Sequence, residues 1–184
     1  PVDGLIHIPR SRTVADLTRR TAPGPLVLLG EHIQVSPFTH ITIDNRAAAC
    51  TATEHLLAVG CRRIAYIGRR DSRPSDAADR RHVGYVEALT AADIPVDPAL
   101  TAQVDAFTAD EGERVAAAMT AALPDLDGIV CSNDSVALGA LAALHAAGRR
   151  VPDDVAVSGI DDIRAARFSV PALSTMAPDH EQLV

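Results

Sequence analysis

The sequence predicts an α/β protein in which parallel sheets carry helices on both faces. Short apolar runs alternate with amphipathic stretches along the chain, the pattern that parallel strands and their crossover helices produce. The runs at 64–67 and 155–160 are almost entirely apolar, which indicates strands buried on both sides. Of the 184 residues, 47% are hydrophobic, enough for one ordinary globular unit or two small lobes.

Three short apolar runs in the first quarter of the chain predict strands, and the stretch between the first two predicts a helix. Asp44 and Asn45 follow the third run. Either residue is expected to cap the next helix, because a side-chain oxygen there accepts hydrogen bonds from the first turn. The predicted elements are a strand at 2–8, a helix at about 13–21, and strands at 26–29 and 40–43.

The rest of the chain repeats the alternation of strand and helix with clearer signals. In the helix that follows Asn45, four residues recur at helical spacing on one face: Ala49, Ala52, Leu56 and Val59. Gly60 ends the helix. The further predicted elements are strands at 64–67, about 101–106, 127–131, 155–160 and 172–176, and helices at about 79–92, 109–122 and 133–147.

Two strand ends, each beside a polar residue or a proline, are the predicted crossing points between two lobes. They lie near Ile43–Asp44 and near Ala177–Pro178. They divide the chain into a partial first lobe at 1–43, a second lobe at 44–177 and a return segment at 178–184. Because the sequence begins with Pro1 and enters a strand almost at once, we expect a piece of a longer protein.

Composition and charge argue against several classes of function. The net charge is −7 and all 17 basic residues are arginines. Acidic residues lie close to the arginine pairs at 62–63, 69–70 and 80–81, so this chain itself is not expected to bind DNA. No apolar run approaches the length of a membrane span, and no signal-peptide pattern opens the sequence. The wide spacing of Cys50, Cys61 and Cys131 favours buried or half-buried free thiols. Neither a metal nor a cofactor is predicted.

Candidate binding residues follow the strands, because ligands of an open parallel sheet gather beyond the carboxyl ends of its strands. Arg81 is placed in the turn that leads into its helix, and Phe107 follows the strand at about 101–106. Carboxylates, an amide, a guanidinium and one aromatic ring are the groups that bind a polyhydroxylated ring. The acidic and amide candidates at strand ends are Glu31, Asp44, Asn133, Asp134, Asp161 and Asp162.

Most of these candidates also have a purely structural interpretation. Asn133 or Asp134 caps its helix, and for Asp134 capping is the favoured interpretation. Asp44 or Asn45 would likewise cap a helix, and residues 161–162 would form an ordinary turn after a strand. Phe107 would belong to the hydrophobic core, and Arg81 would lie on the solvated surface. An enzyme is disfavoured, because the sequence has no nucleophile elbow at Ser158, no phosphate-binding loop and no GxGxxG fingerprint.

Five segments, in the same order, resemble the lac repressor family of transcriptional regulators and extend over nearly the whole chain. The sequence departs from the family pattern at Cys61, where histidine is usual, at Ser158, where an apolar residue is usual, and at Ile160, where an aromatic residue is usual. The matching segments are VDGLI at 2–6, HLLAVGCRRIAYIG at 55–68, RHVGY at 81–85, DGIVCSNDSVALGAL at 127–141, and VPDDVAVSGIDD at 151–162 with PALST at 171–175.

The resemblance implies the fold of type I periplasmic sugar-binding proteins, with the effector in a cleft between two α/β lobes and the first lobe incomplete in this chain. It implies a cytoplasmic homodimer with Leu138 in its interface, and operator DNA bound by a helix-turn-helix that precedes the chain. The effector would be a small molecule, most simply a carbohydrate. At positions that match those of the family, Phe107 would stack on the effector. The residues that would form hydrogen bonds to the effector are Glu31, Arg81, Asn133 and Asp161.

The sequence therefore predicts the sensing core of a bacterial transcriptional regulator, without enzymatic activity. Its mechanism would be a population shift, in which an effector held by both lobes favours their closed arrangement. A periplasmic sugar-binding protein of a transport system shares this fold and is the main alternative. The segments at 151–157 and 60–65 look more like those of the regulators. An upstream signal peptide would favour transport, and an upstream helix-turn-helix would favour regulation.

Overall fold

Contacts along the chain fall into two separate units in the computed structural model, which describes residues 3–9, 14–19, 24–30, 36–69, 77–179 and 181. The first unit comprises Pro1–Asp44 and Asp179–Val184, and the second unit comprises Asn45–Pro178. Within these described ranges, no helix is both long and apolar enough to cross a membrane.

The first unit contains a parallel sheet of three strands and one short helix. Leu26 and Leu28 of the middle strand are buried with Leu17 of the helix, so their side chains form the small core of this unit. The predicted strands and helix are present in the described residues, with the predicted bounds for the strand at 26–29 and different bounds for the other three elements. They are β1 (Leu5–His7), α1 (Val14–Thr18), β2 (Leu26–Leu29) and β3 (Thr39–Ile41), with the strands in the order β1-β2-β3.

The second unit is a parallel sheet of five strands in the order β5-β4-β6-β7-β8. Helices α2 and α3 pack together on one face, and α4 and α5 pack together on the other. The predicted α/β class, with helices on both faces, is confirmed. The elements are α2 (Asn45–Ala58), β4 (Ile64–Arg69), α3 (Ala77–Ala91), β5 (Thr101–Gln103), α4 (Ala109–Ala122), β6 (Gly128–Cys131), α5 (Asp134–Ala146), β7 (Ala156–Ile160) and β8 (Ser174–Met176).

Alternate residues of the central strands supply the two halves of the core. In β4, Ile64 and Tyr66 pack towards α2 and α3, whereas Ala65 and Ile67 pack towards α4 and α5. All four side chains are at most 1% exposed. Successive side chains of a strand point to opposite faces, so an apolar run without alternation is needed when helices cover both sides.

Close contact between α4 and α5 depends on a glycine. A methyl group added at Gly139 would lie 1.9 Å from the carbonyl oxygen of Ala109 and 2.6 Å from the amide nitrogen of Glu113. Only glycine therefore permits the two backbones to approach this closely. Gly139 lies in the segment that resembles the lac repressor family, so this part of the resemblance reflects a packing requirement.

Two boundaries differ from the sequence prediction in ways that concern the candidate site. Helix α3 begins at Ala77, so Arg81 lies inside the helix and not in the turn before it. Helix α5 begins at Asp134, because Asn133 has extended backbone angles and serves as its N-cap. The three cysteines agree with the prediction of buried or half-buried free thiols.

Candidate functional site

The candidate residues of the second unit lie at the carboxyl edge of its sheet. Strands β4 and β6 are neighbours, although β5 lies between them in the sequence. The connections after these two strands therefore leave in opposite directions, and such a switch point opens a crevice at the carboxyl ends. Asn133 follows β6 and Asp161 follows β7, so both residues border this crevice.

Arg81 is the centre of a buried hydrogen-bond network at this edge. The side chain projects from α3, and the residue is only 9% exposed. Its Nε donates to Asn45 Oδ1 at 2.5 Å, its Nη1 donates to the carbonyl oxygen of Ser132, and its Nη2 donates to Asp161 Oδ1 at 3.1 Å. The interpretation of Arg81 as solvated surface is therefore wrong, because a guanidinium is buried only when its donors have partners.

Asp161 combines an unusual backbone with a partly exposed carboxylate. Its φ angle is 121°, which few residues other than glycine adopt, and its N–H donates to the carbonyl oxygen of Met176 at 3.0 Å. The side chain of Asp161 is 34% exposed. Burial raises the pKa of this carboxyl, and the cation of Arg81 opposes the rise. Only Oδ1 contacts Arg81, so the carboxylate retains a second oxygen as an acceptor.

Asp134 holds the loop that carries Asp161. It is completely buried, and its Oδ1 accepts a hydrogen bond from Thr175 Oγ1 at 2.6 Å while its Oδ2 accepts one from the N–H of Ile163 at 2.8 Å. Thr175 Oγ1 in turn accepts from the N–H of Asp162 at 3.3 Å. The capping role predicted for Asp134 is therefore wrong. Its carboxylate instead links the loop at 161–163 to β8 through hydrogen bonds to both.

The sheet makes room for the buried carboxylate of Asp134 at Gly159. A methyl group at Gly159 would lie 2.2 Å from Asp134 Oδ1. Any larger residue in this position of β7 would displace the carboxylate that orders the loop of Asp161. The Gly–Ile–Asp–Asp stretch is thus explained by packing as well as by the candidate site.

Asn133 caps α5 and still offers an amide group. Its Oδ1 accepts a hydrogen bond from the N–H of Val136 at 2.9 Å, as expected of an N-cap residue. This contact fixes the orientation of the amide and leaves its Nδ2 as a donor. The capping interpretation of Asn133 is correct, and it is compatible with a role in ligand binding.

The remaining predicted residues are placed less directly. Phe107 is half-buried in the loop between β5 and α4, where it packs against the core on the α4–α5 side. Leu138 is half-buried on α5 and contacts the same core. Glu31 lies outside the described residues. The network therefore brings together Arg81 and Asp161, with Asn133 beside Ser132 at the end of β6.

Sequence reasoning missed three participants in this network. Ser132 contributes its backbone carbonyl, for which no side-chain signal exists. Thr175 is part of a matching segment, but nothing in the sequence connects it with Asp134. Asn45 is predicted only as a helix cap, and its place two residues after the predicted strand end at Ile43 is the signal that would have identified it.

A separate cavity of about 510 Å³ opens at the opposite, amino edge of the same sheet. Its acidic side chains already have partners. Asp127 accepts hydrogen bonds from the N–H groups of Arg62 and Arg63, and Asp154 forms an ion pair with Arg150. This cavity lacks the buried and directed polar groups that distinguish the carboxyl edge.

Comparison with known proteins identifies the family of this chain. The periplasmic binding protein-like domain family matches residues 53–184. The ribose operon repressor of Halalkalibacterium halodurans is 34% identical over 152 residues, 83% of this chain and 44% of that protein. The transcriptional regulator CelR of Thermobifida fusca is 38% identical over 140 residues, 75% of this chain and 40% of that protein. The chain thus spans less than half the length of these two relatives.

Solved structures lead to the same class of protein. A putative LacI-family regulator from Sanguibacter keddieii has a TM-score of 0.80 and 38% identity, with 94% of this chain and 61% of that chain covered. A complex of CelR with cellobiose has a TM-score of 0.83 and 33% identity, with 98% of this chain and 55% of that chain covered. The fold and site thus define a core of the periplasmic binding protein type. The chain belongs to the lac repressor (LacI) family, and the resemblance found in its sequence is confirmed.

Proposed function

We propose that this chain is the effector-sensing core of a bacterial transcriptional regulator and that its effector is a sugar. The observation that carries the proposal is the buried network in which Asn45, Ser132 and Asp161 hold Arg81 at the carboxyl edge of the sheet. A charged group is buried in this way at a cost, and binding sites are where such groups are commonly found. The relatives are regulators, one of them in complex with cellobiose, which favours regulation over transport or enzymatic activity.

The groups at this edge match the hydroxyl groups of a sugar ring. Arg81 supplies N–H donors, Asn133 supplies its amide Nδ2, and Asp161 supplies its second carboxylate oxygen. Because Asp161 compensates the charge of Arg81, and because Asp134 and Asp162 lie nearby, the site favours a neutral polyol over an anion. Glu31 and Phe107 would complete the site, as the family resemblance implies.

The effector would act by a shift in population. A sugar that contacts both lobes more strongly in their closed arrangement stabilises that arrangement, and the change reaches the DNA-binding part of the complete protein. In this proposal, operator DNA contacts a helix-turn-helix outside the chain, in the cytoplasm. The net charge of −7 agrees with a core that does not itself bind DNA.

The test is a melting-temperature screen of the full-length protein with pentoses, hexoses and disaccharides, including D-ribose and cellobiose. A sugar at a hundred times its Kd stabilises the folded state by about 2.7 kcal/mol, so we expect a rise of several degrees for at least one sugar. The same sugar should change the affinity of the protein for its operator. If no sugar in the panel changes either quantity, the proposed effector class is wrong.

We also propose a homodimer whose interface includes Leu138. Val170 is 93% exposed and borders the same surface depression as Leu141, which lies one helical turn after Leu138 on α5. Leu141 itself is buried, so the support for this proposal is the family resemblance together with the exposed side chain of Val170. We expect Leu138→Glu to shift sedimentation of the full-length protein from dimer towards monomer, whereas the exposed control Thr51→Glu, on α2 at the opposite face of the sheet, should not. An unchanged dimer in Leu138→Glu would contradict this assignment.

A further inference from the structure

Asn45 is buried where α2 begins, close to the candidate ligand site. It is 1% exposed, and its Oδ1 lies 2.5 Å from Nε of Arg81. It is also the first residue of the second unit, directly after the chain connection that ends at Asp44. A buried amide oxygen that accepts from a guanidinium is a strong interaction, because the donor carries charge.

The packing of α2 against α3 keeps these two residues in register. A methyl group at Gly84 would lie 2.1 Å from the carbonyl oxygen of Arg46 and 2.9 Å from the amide nitrogen of Cys50. The two helix backbones therefore touch close to both Asn45 and Arg81. A displacement of α2 at this point would move the acceptor away from the Nε of Arg81.

The contact at Nε determines where the rest of the guanidinium points. Arginine has a long flexible side chain that ends in a planar fork of donors. Once Nε is engaged by Asn45, the plane of the fork is fixed, and Nη1 and Nη2 meet the carbonyl of Ser132 and the carboxylate of Asp161. Without Asn45, those two acceptors alone would have to orient the fork.

We infer that Asn45 is a positioning residue for Arg81, which sets the direction in which the arginine presents its donors to a ligand. Asn45 acts through Arg81, since its own side chain is buried and contacts Nε of the arginine. Its consequence for the effector rests on the proposed function of the site. The orientation of the Arg81 guanidinium by Asn45 does not require a ligand, so it is measured separately in the ligand-free protein.

The first test observes Arg81 without any ligand. In full-length protein labelled with ¹⁵N-arginine, the Nε–H signal missing from Arg81→Lys identifies the residue. We expect Asn45→Ala to accelerate solvent exchange of this proton about tenfold or more, since it loses a buried acceptor. Asn45→Asp keeps an acceptor of the same shape and should retain slow exchange. Thr90→Ala, which removes an exposed hydroxyl in the last turn of α3, should leave the exchange unchanged.

The outcome that overturns the inference is slow exchange of the Arg81 Nε–H in a folded Asn45→Ala protein. Where Asn45→Ala fails to fold, Asn45→Asp decides. Its new carboxylate would share Arg81 with Asp161, so the pKa of Asp161, followed by NMR, should rise. An unchanged titration of Asp161 in that variant would show that position 45 does not control the arginine.

The second test uses D-ribose and cellobiose as probes. Whichever sugar stabilises the wild-type protein should bind Asn45→Ala about tenfold more weakly. Its affinity should recover in Asn45→Asp and should not change in Thr90→Ala. Affinity in Asn45→Ala equal to that of the wild type would overturn the positioning role. If neither sugar binds the wild type, the proposed function fails for these sugars, and the exchange of Arg81 still decides the role of Asn45.

Discussion

Replacing Arg81 by alanine is expected to abolish sugar binding at the carboxyl edge, with a loss of affinity of about a hundredfold or more. The substitution removes the guanidinium at the centre of the network and leaves Asn45 Oδ1, the Ser132 carbonyl and Asp161 without their donor. The unfolding free energy should fall as well, by about 3 kcal/mol, since buried acceptors lose their partner. Titration calorimetry and urea unfolding of the full-length protein measure the two effects.

Two further variants separate binding from stability. Arg81→Lys keeps the charge but has no fork of donors, so its stability should recover more than its affinity. Arg114→Ala is the matched control, because Arg114 is exposed and pairs with the nearby Glu111 on α4. Sugar affinity in Arg81→Ala within about threefold of the wild type, with the fold intact, would show that the pocket is misassigned.

Replacing Asp134 by alanine is expected to cost about 3–5 kcal/mol of unfolding free energy, the largest loss in stability that we predict. The carboxylate is fully buried, and its removal strands the hydroxyl of Thr175 and the N–H of Ile163 while leaving a void beside Gly159. Because the loop at 161–163 loses its anchor, sugar affinity should fall too. Urea unfolding measures the first effect and calorimetry the second.

Asp153→Ala is the control for this prediction. The side chain of Asp153 is 64% exposed in the turn before β7, and it pairs only loosely with Arg150 at 3.5 Å. Its removal should leave both stability and binding close to those of the wild type, since exposed ion pairs contribute little. Equal stability of Asp134→Ala and Asp153→Ala would contradict the view that Asp134 organises the loop.

The fold was predictable because its signals are local. The apolar run at 64–67 and the spacing of Ala49, Ala52 and Leu56 each describe one element and the face that it buries. Such patterns need no knowledge of distant residues. The closeness of α4 and α5 at Gly139 could not be predicted in the same way, because the atoms that exclude a side chain belong to another helix.

The candidate site was predictable in its location and only partly in its chemistry. The rule that ligands gather at the carboxyl ends of strands singled out Asn133 and Asp161. It did not separate Asn133 from Asp134. Asn133 has extended backbone angles and caps α5, whereas Asp134 is the first residue of the helix and its side chain enters the core. The sequence does not show at which of the two residues the helix begins. The partners that make burial of Asp134 possible lie 29 and 41 residues away in the chain.

The most direct test of the proposed sensing site is a crystal structure of the full-length protein with the sugar that raises its melting temperature most. We expect sugar hydroxyl groups within hydrogen-bond distance of the Arg81 guanidinium, Asn133 Nδ2 and the Asp161 carboxylate, beyond the carboxyl ends of β6 and β7. A sugar found instead in the cavity at the amino edge, beside Cys61 and Asp127, would contradict the assignment.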